Sequence, residues 1–280
     1  MKKALSLMTA AALVLSLAAC GSTASSAASS EAVSSDAASS EAASSEAASE
    51  TETAELSTVE PGKLIMSTNA AFPPYEMTTD SGEFEGIDIE TAQAIADKLG
   101  LELQIDDMDF DAALLSVQQG KADIVMAGVT VTDERKAVMD FSDSYATGIQ
   151  SIIVPEGSDI TSPDDLAGKK IGTQRGTTGY IYCSDDFGDD AVVAYDDGLT
   201  AVQALKNGQV DAVVIDNAPA KEYVAANPGL VILDTSYAEE DYAIGMAKGS
   251  ALEDAVNAAL EELKADGTLQ SIVDKYITAE

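Results

Sequence analysis

Two stretches of this chain share one residue pattern, and that pattern restricts the possible folds. Residues 116–127 and residues 204–215 each run through a polar segment, a glycine, an aspartate and a short apolar run. Two pairs of residues coincide in the alignment, Gly120 with Gly208 and Asp123 with Asp211. A glycine commonly ends a helix, and a short apolar run is typical of a buried strand. The repetition therefore predicts two similar halves, each with a helix followed by a buried strand.

Different polar residues follow the two predicted strands. Gly128 comes after the first strand, with Thr130 and Arg135 just beyond it, whereas Asp216 comes after the second. Open α/β sheets bind ligands just outside the carboxyl ends of their strands. A guanidinium from one half and a carboxylate from the other complement a zwitterion. This is the arrangement that an α-amino acid requires.

The rest of the chain from residue 63 alternates between strand and helix patterns. Predicted strands cover residues 63–67, 101–105, 123–127, 169–173, 191–195, 211–215 and 230–233, and predicted helices cover 88–99, 110–119, 176–183, 198–207, 252–263 and 269–276. Such alternation predicts an α/β fold with mostly parallel sheets flanked by helices. A chain that is 46% apolar but only 5% aromatic suits such an aliphatic core.

Two further apolar stretches, residues 150–155 and 242–247, fit neither half well. We expect the chain to cross there between two lobes, and two crossings form a hinge. The predicted first lobe comprises residues 59–150 and 243–280, and the second comprises residues 151–242. The alternative is that both stretches are ordinary core strands of a single sheet.

The first twenty residues have the pattern of a secretory signal. Lys2 and Lys3 precede an apolar run, which ends in Leu-Ala-Ala before Cys20. This ending resembles a bacterial lipobox, which implies that Cys20 is acylated and anchors the protein to the outer face of the cell membrane. The run is short for a transmembrane helix. The alternative is an ordinary signal peptide with an incidental cysteine.

Residues 21–58 consist almost entirely of Ser, Ala, Thr and acidic residues, with a recurring five-residue unit such as Ser-Ser-Glu-Ala-Ala. This period matches neither a helical stripe nor a strand, and the segment has almost no large apolar side chain to bury. We predict a disordered tether kept extended by its charges. A weak Ala-rich helix is the alternative, and it also acts as a spacer.

Charge and residue usage exclude several classes of function. The formal net charge of −34 argues against nucleic acid and anionic lipid headgroups as partners. The absence of histidine excludes histidine-based catalysis and histidine metal sites. Beyond Cys20 only Cys183 remains, so acylation of Cys20 leaves no intrachain disulfide.

Ordered motifs across residues 60–278 resemble one known family. They are Asn69-Ala-Ala-Phe-Pro-Pro-Tyr-Glu, Gly86-Ile-Asp-Ile-Glu, Asp109-Phe-Asp, Ala127-Gly-Val-Thr-Val-Thr-Asp-Glu-Arg, Asp140-Phe-Ser-Asp, Gly176-Thr-Thr-Gly, Gly208-Gln-Val-Asp-Ala-Val-Val-Ile-Asp and Asp266-Gly-Thr. The chain resembles the family 3 extracellular solute-binding proteins, the polar amino acid receptors of ABC importers. The resemblance implies a two-lobed, type II periplasmic-binding-protein-like fold. It also implies a monomer without a cofactor that delivers its ligand to ABC permease subunits.

The resemblance assigns roles to the residues at the predicted strand ends. Arg135 matches the arginine that holds the ligand α-carboxylate, helped by Gly128 and Thr130, and Asp216 matches the acid that receives the α-ammonium. The residues themselves place Arg135 near the start of a helix capped by Thr132. On sequence alone, Arg135 could instead pair with its acidic neighbours at the surface, and Asp216 could cap the helix that follows.

Further ligand contacts follow from the same resemblance. Phe72 and Phe110 match apolar walls or are plain core residues, Thr178 matches a second contact to the carboxylate, and Gln174 is a candidate contact to the ligand side chain. Asn69 stands where cation-preferring members often carry an acid, which favours a neutral polar ligand. Arg175 favours an acidic or extended ligand, or else points to solvent.

Two rival functions remain open at this point. Some relatives on this scaffold are dehydratases, and Glu76 or Asp88 could supply the general acid that such an enzyme needs. A cell-wall adhesin or sensor with a degenerate cleft is the other alternative, although the presence of Arg135 and Asp216 argues against a degenerate cleft.

Overall fold

The computed structural model describes residues 56–277 of the chain. Cys20, the predicted signal sequence and most of the predicted tether lie outside these residues. Within the described range, no helix combines the length and apolar character that a membrane span needs.

The described part is built from short strands and amphipathic helices in alternation. The strands are β1 (Lys63–Thr68), β2 (Ala71–Phe72), β3 (Glu76–Thr78), β4 (Phe84–Glu85), β5 (Glu102–Asp107), β6 (Ile124–Val125), β7 (Met139–Phe141), β8 (Ala146–Pro155), β9 (Ile171–Gln174), β10 (Val192–Tyr195), β11 (Ala212–Asp216), β12 (Leu230–Ile232), β13 (Ala238–Tyr242) and β14 (Gly245–Ala247). The helices are α1 (Ile87–Leu99), α2 (Phe110–Gln118), α3 (Asp133–Lys136), α4 (Thr178–Phe187), α5 (Gly198–Lys206), α6 (Asn217–Ala226), α7 (Glu253–Ala265) and α8 (Thr268–Tyr276), and 3₁₀ turns cover Pro163–Leu166 and Asp189–Ala191.

The strands form two main sheets, as the predicted α/β fold requires. The first sheet has the order β5-β1-β6-β14-β7, and the second has the order β10-β9-β11-β8-β12, with β13 also paired to β8. A small third sheet, β2-β3-β4, was not predicted because two-residue strands carry no readable periodicity.

Both main sheets are mixed rather than mostly parallel. In the first sheet β1 pairs in parallel with β5 and β6, and in the second β9 pairs in parallel with β10 and β11. The strands near the two crossings run the other way, because β8 is antiparallel to β11, β12 and β13, and β14 is antiparallel to β6 and β7.

The chain changes sheet between Phe141 and Ala146, and returns between Tyr242 and Gly245. The apolar stretch 150–155 therefore belongs to the second sheet, as part of β8. The stretch 242–247 is divided, because Tyr242 ends β13 and Gly245 begins β14. The two crossings lie beside each other, since β13 pairs with β8 from Ala238 to Tyr242. A division into lobes at residues 150 and 242 remains a prediction.

The internal repeat has the same local structure in both halves. After α2, the N–H of Gly120 donates to the carbonyl of Val117, and after α5 the N–H of Gly208 donates to the carbonyl of Leu205. Both glycines have left-handed backbone angles, with φ of 65° and 67°. This geometry closes the last helical turn and directs the chain into the next strand. The predicted helix–glycine–strand unit is confirmed twice.

The aspartates of the repeat also act alike. The Asp123 carboxylate accepts the backbone N–H of Ile65 at 2.8 Å, and the Asp211 carboxylate accepts the backbone N–H of Lys170 at 2.7 Å. In each half the aspartate precedes its own strand directly and thus ties the beginning of that strand to the start of the neighbouring strand. The two equivalent units place residue 128 and residue 216 at corresponding edges of their sheets.

Candidate functional site

A small cavity lies where residues following the strands of both sheets meet. Its lining combines aromatic rings, amides, hydroxyls and charged groups. The lining residues are Asn69, Phe72, Glu76, Phe110, Ala127, Gly128, Thr130, Arg135, Gln174, Thr177, Thr178 and Asp216. The residues that the sequence predicts to contact a ligand therefore all line this one cavity.

Arg135 is positioned by the start of α3. Thr132 caps this helix, and its hydroxyl accepts the backbone N–H of Arg135 at 3.2 Å. The guanidinium is buried and donates to the carbonyls of Thr130 at 2.7 Å and Gly176 at 3.1 Å. Its central carbon lies 5.4 Å from the centre of the Phe110 ring, within cation–π range. The surface pairing considered for Arg135 is therefore wrong.

The buried guanidinium of Arg135 has lost much of its hydration, so an anion beside it would be stabilising. The lost hydration lowers the pKa of the guanidinium, and the opposite charges of Glu240 and Asp216 partly offset this effect. Among residues 56–277, no carboxylate lies within ion-pair distance of the guanidinium. A carboxylate placed in the cavity would supply the missing partner and could take a bidentate contact.

Asp216 ends β11 and faces the same cavity. Its carboxylate is buried and accepts Nε2 of Gln150 at 2.8 Å and the hydroxyl of Tyr242. Burial is the main reason why the pKa of Asp216 rises to about 7, although these two donors oppose the rise. The side chain does not cap α6. Such an acid near its titration point is well suited to receive a cation, because pairing would favour the ionised form.

Gly128 allows a close approach of the chain at the floor of the cavity. Its φ of 55° is left-handed, and a Cβ at this position would lie 2.9 Å from the Phe72 ring. The Gly128 N–H donates to the Asp88 carboxylate at 2.9 Å, which fixes the peptide group between Ala127 and Gly128. Phe72 and Phe110 line the cavity as predicted. Ring stacking on a ligand stays a prediction.

Two amide side chains meet at another part of the wall. Nε2 of Gln174 donates to Oδ1 of Asn69 at 2.8 Å, and Nδ2 of Asn69 donates to the carbonyl of Met108 at 2.9 Å. Arg175 points away from this contact, because its side chain is 51% exposed and lies 3.5 Å from Asp196. Arg175 is therefore at the surface rather than in the ligand cavity.

Sequence reasoning missed three buried polar residues beside the predicted site. Glu76, considered only as an enzymatic acid, lines the cavity, and its buried carboxyl group lies beside that of Asp88. Burial raises the pKa of Glu76 well above its usual value, with Asp88 adding to the effect. Gln150 and Glu240 lie behind the wall on the paired strands β8 and β13. Alternation along β13 was the available signal, since it places Glu240 on the same face as Tyr242.

The side chains of residues 56–277 contain no cluster of His, Cys, Asp or Glu suited to a metal ion. Cys183 is buried in α4, and burial raises the pKa of its thiol to about 12. This thiol is a core side chain and takes no part in the cavity.

Comparison with known proteins agrees with this arrangement. The model of the family described as bacterial extracellular solute-binding proteins, family 3, matches residues 64–279. The L-cystine-binding protein TcyJ of Escherichia coli (strain K12) is 33% identical over 226 residues, covering 79% of this chain and 85% of that protein. The arginine-binding extracellular protein ArtP of Bacillus subtilis (strain 168) is 32% identical over 294 residues, with full coverage of both chains.

Solved structures are similar over most of the chain. An ancestral arginine-binding protein bound to glutamine has a TM-score of 0.75 and 42% identity, covering 79% of this chain and 100% of that one. The arginine-, lysine-, histidine-binding protein ArtJ of Geobacillus stearothermophilus has a TM-score of 0.75 and 34% identity, covering 78% of this chain and 96% of that one.

Proposed function

The chain belongs to family 3 of the bacterial extracellular solute-binding proteins, the amino-acid-binding components of ABC transporters, and we propose that its own ligand is an α-amino acid with a neutral polar side chain. Such a protein binds rather than transforms its ligand, so the dehydratase alternative is set aside.

The observation that supports this proposal is that Arg135 and Asp216 line the same cavity. The guanidinium can pair with the α-carboxylate, and the Asp216 carboxylate can pair with the α-ammonium. Gly128 lines the same cavity and would help Arg135 to hold the α-carboxylate. These contacts recognise the groups common to all α-amino acids and leave selection to the rest of the cavity.

The contact between Asn69 and Gln174 supports a neutral side chain. Both groups are uncharged amides, and each has donor and acceptor atoms. A polar, uncharged side chain can replace their mutual hydrogen bond, whereas a full charge facing two amides would lack a counter-ion. The relatives themselves bind different ligands, among them cystine, arginine and glutamine.

One observation favours a cationic amino acid as a second candidate. Glu76 lines the cavity, and its carboxyl group forms no ion pair among residues 56–277. A ligand guanidinium or ammonium within reach would lower the raised pKa of Glu76 and supply a counter-ion. Lysine or arginine would then take the place of a neutral ligand.

A thermal-shift screen of the ligand-free protein against the twenty amino acids and cystine tests both candidates. We expect the largest rise in melting temperature with a neutral polar amino acid. Calorimetry should give a dissociation constant in the micromolar range or below, which corresponds to a binding free energy of about −8 kcal/mol or more negative. A larger shift with lysine or arginine would favour the Glu76-based candidate. No shift with any of these compounds would refute the proposal.

We further propose that ligand binding closes two lobes about the paired strands β8 and β13 and that the closed form delivers its ligand to a membrane permease. Strands that cross side by side can bend together without disrupting either sheet. Ligand should therefore lower the radius of gyration measured by solution scattering. An identical radius with and without saturating ligand would contradict hinge closure.

Anchoring through an acylated Cys20 belongs to the same proposal. A protein held outside the cell by two acyl chains stays near its permease. In a bacterial host, the parent should fractionate with membranes and carry lipid at residue 20 by mass spectrometry, whereas Cys20→Ala should not. Equal membrane association of both forms would refute the anchor.

A further inference from the structure

Glu240 is a buried acid beside the ligand cavity that none of the predicted contacts includes. It lies in β13 between Glu239 and Asp241, which are both exposed, while the Glu240 side chain is only 7% exposed. Strand alternation explains the difference, because residues 240 and 242 point to the interior. A carboxylate is placed in the interior at a cost and needs partners there.

One oxygen of Glu240 accepts three side-chain hydrogen bonds. Oε2 accepts the hydroxyl of Thr130 at 3.1 Å, the hydroxyl of Thr178 at 3.0 Å and Nε2 of Gln150 at 3.0 Å. The other oxygen, Oε1, is buried and unpartnered. Thr130 follows the first sheet and Thr178 begins a helix of the second half, so one carboxylate oxygen ties both halves together.

These bonds remove donors from the cavity. A threonine hydroxyl has a single hydrogen, so a hydroxyl that donates to Glu240 cannot also donate to a ligand. Thr130 and Thr178 line the cavity together with Arg135. While they donate to Glu240, these hydroxyls can only accept hydrogen bonds from a ligand. A ligand carboxylate is itself an acceptor, so it cannot bind to them in this arrangement.

The charge of Glu240 acts on both ends of the site. It is the largest of the charges that raise the pKa of Arg135 against the lowering effect of burial. It also adds to the rise in the pKa of Asp216, after the larger effect of burial. Glu240 therefore opposes a ligand carboxylate at Arg135 and opposes ionisation of Asp216, which the ligand ammonium requires.

We propose that Glu240 is a built-in competitor for the α-carboxylate, a positioning residue that holds the two threonine hydroxyls in the absence of ligand and weakens ligand binding. This role rests on the proposed amino-acid-binding function. The carboxylate closes the hydroxyl contacts across the cavity without a ligand, and hydroxyls that donate to it are withheld from an incoming amino acid. Weakened binding favours release, which a transport receptor requires.

The test compares Glu240→Gln with Glu239→Gln, which removes the same charge from the exposed neighbouring position. Using the amino acid that gives the largest thermal shift, calorimetry should show Glu240→Gln binding about tenfold more tightly than the parent, because a like charge close to the ligand anion is removed. Glu239→Gln should bind like the parent. Equal or weaker binding by Glu240→Gln would overturn the role of Glu240.

Thr178→Val provides a second measurement that does not depend on the folding of a Glu240 variant. A hydroxyl that already donates to Glu240 contributes little to the ligand, so its loss should weaken affinity by less than about threefold. A hydroxyl that donates to a charged ligand group would cost about tenfold or more, and that result would overturn the proposal. If the parent binds no amino acid, the proposed function fails and this role fails with it.

Discussion

Gln174 donates a hydrogen bond of 2.8 Å to Asn69, and this contact joins the carboxyl end of β9 in the second sheet to the residue that follows β1 in the first. Both residues line the ligand cavity. The contact is made by two neutral groups at a place where one altered side chain would change the charge of the wall. A substitution at this contact is therefore the most direct test of ligand selection.

Asn69→Asp should shift ligand preference toward cationic amino acids. Aspartate keeps the size of asparagine and can still accept the Gln174 amide, but it adds a buried charge that a ligand ammonium or guanidinium can pair with. We expect arginine or lysine to gain at least about tenfold in affinity by calorimetry relative to the preferred neutral ligand. Asn69→Ser removes the amide without adding charge and is the control. A preference unchanged in Asn69→Asp would mean that the ligand side chain lies elsewhere.

Arg135→Met and Asp216→Asn should each weaken amino-acid binding by about a hundredfold or more. Each change leaves one charge of the bound zwitterion buried without its partner, and such losses typically cost about 3–5 kcal/mol. Arg175→Met is the matched control because Arg175 is exposed and outside the cavity. Calorimetry showing near-parent affinity for either cavity variant, with circular dichroism confirming its fold, would remove that residue from the site.

The ligand-free protein should lose a stabilising contribution from Asp216 as pH rises. Burial raises the pKa of Asp216 to about 7, above the value of about 3.9 for an unfolded aspartate. The native state therefore holds the proton more tightly, so the contribution is complete below pH 4 and is lost as pH passes through 7.

Asp216→Asn isolates this effect, because Asp88 and Glu76 titrate in both proteins. The melting temperature of ligand-free Asp216→Asn minus that of the ligand-free parent should increase from pH 5 to pH 8, because only the parent loses the contribution of Asp216. A difference that stays constant across this range would show that Asp216 does not titrate there.

The sequence allowed prediction of the repeated helix–glycine–strand units and the residues that follow them. Gly120 and Gly208 mark the same turn, and periodicity locates α1, α2 and α5 because these helices bury one face. Arg135 and Asp216 were predictable because they follow the repeat, and strand ends are where open sheets bind ligands.

Glu240 and Gln150 could not be predicted in the same way. Glu239, Glu240 and Asp241 form a run of acids that has the composition of a solvated surface, and alternation identifies the middle one as buried only once the pairing of β13 with β8 is known. The mixed sheets were missed for a related reason. Strand direction at the crossings depends on which sheet each strand joins, and local periodicity contains no information on this.

Gly148→Ala should destabilise the protein and weaken ligand binding together. A Cβ at residue 148 would lie 2.5 Å from a ring carbon of Tyr242, which is fully buried and donates its hydroxyl to Asp216. The ring would have to move away from β8, at a cost of about 1–3 kcal/mol in the free energy of unfolding, and its hydroxyl would leave Asp216. Urea unfolding and calorimetry measure the two effects, with Thr147→Ala, an exposed neighbour on the same strand, as the control. Unchanged stability and affinity in Gly148→Ala would show that the ring can shift freely, and that its contact with Asp216 does not shape the site.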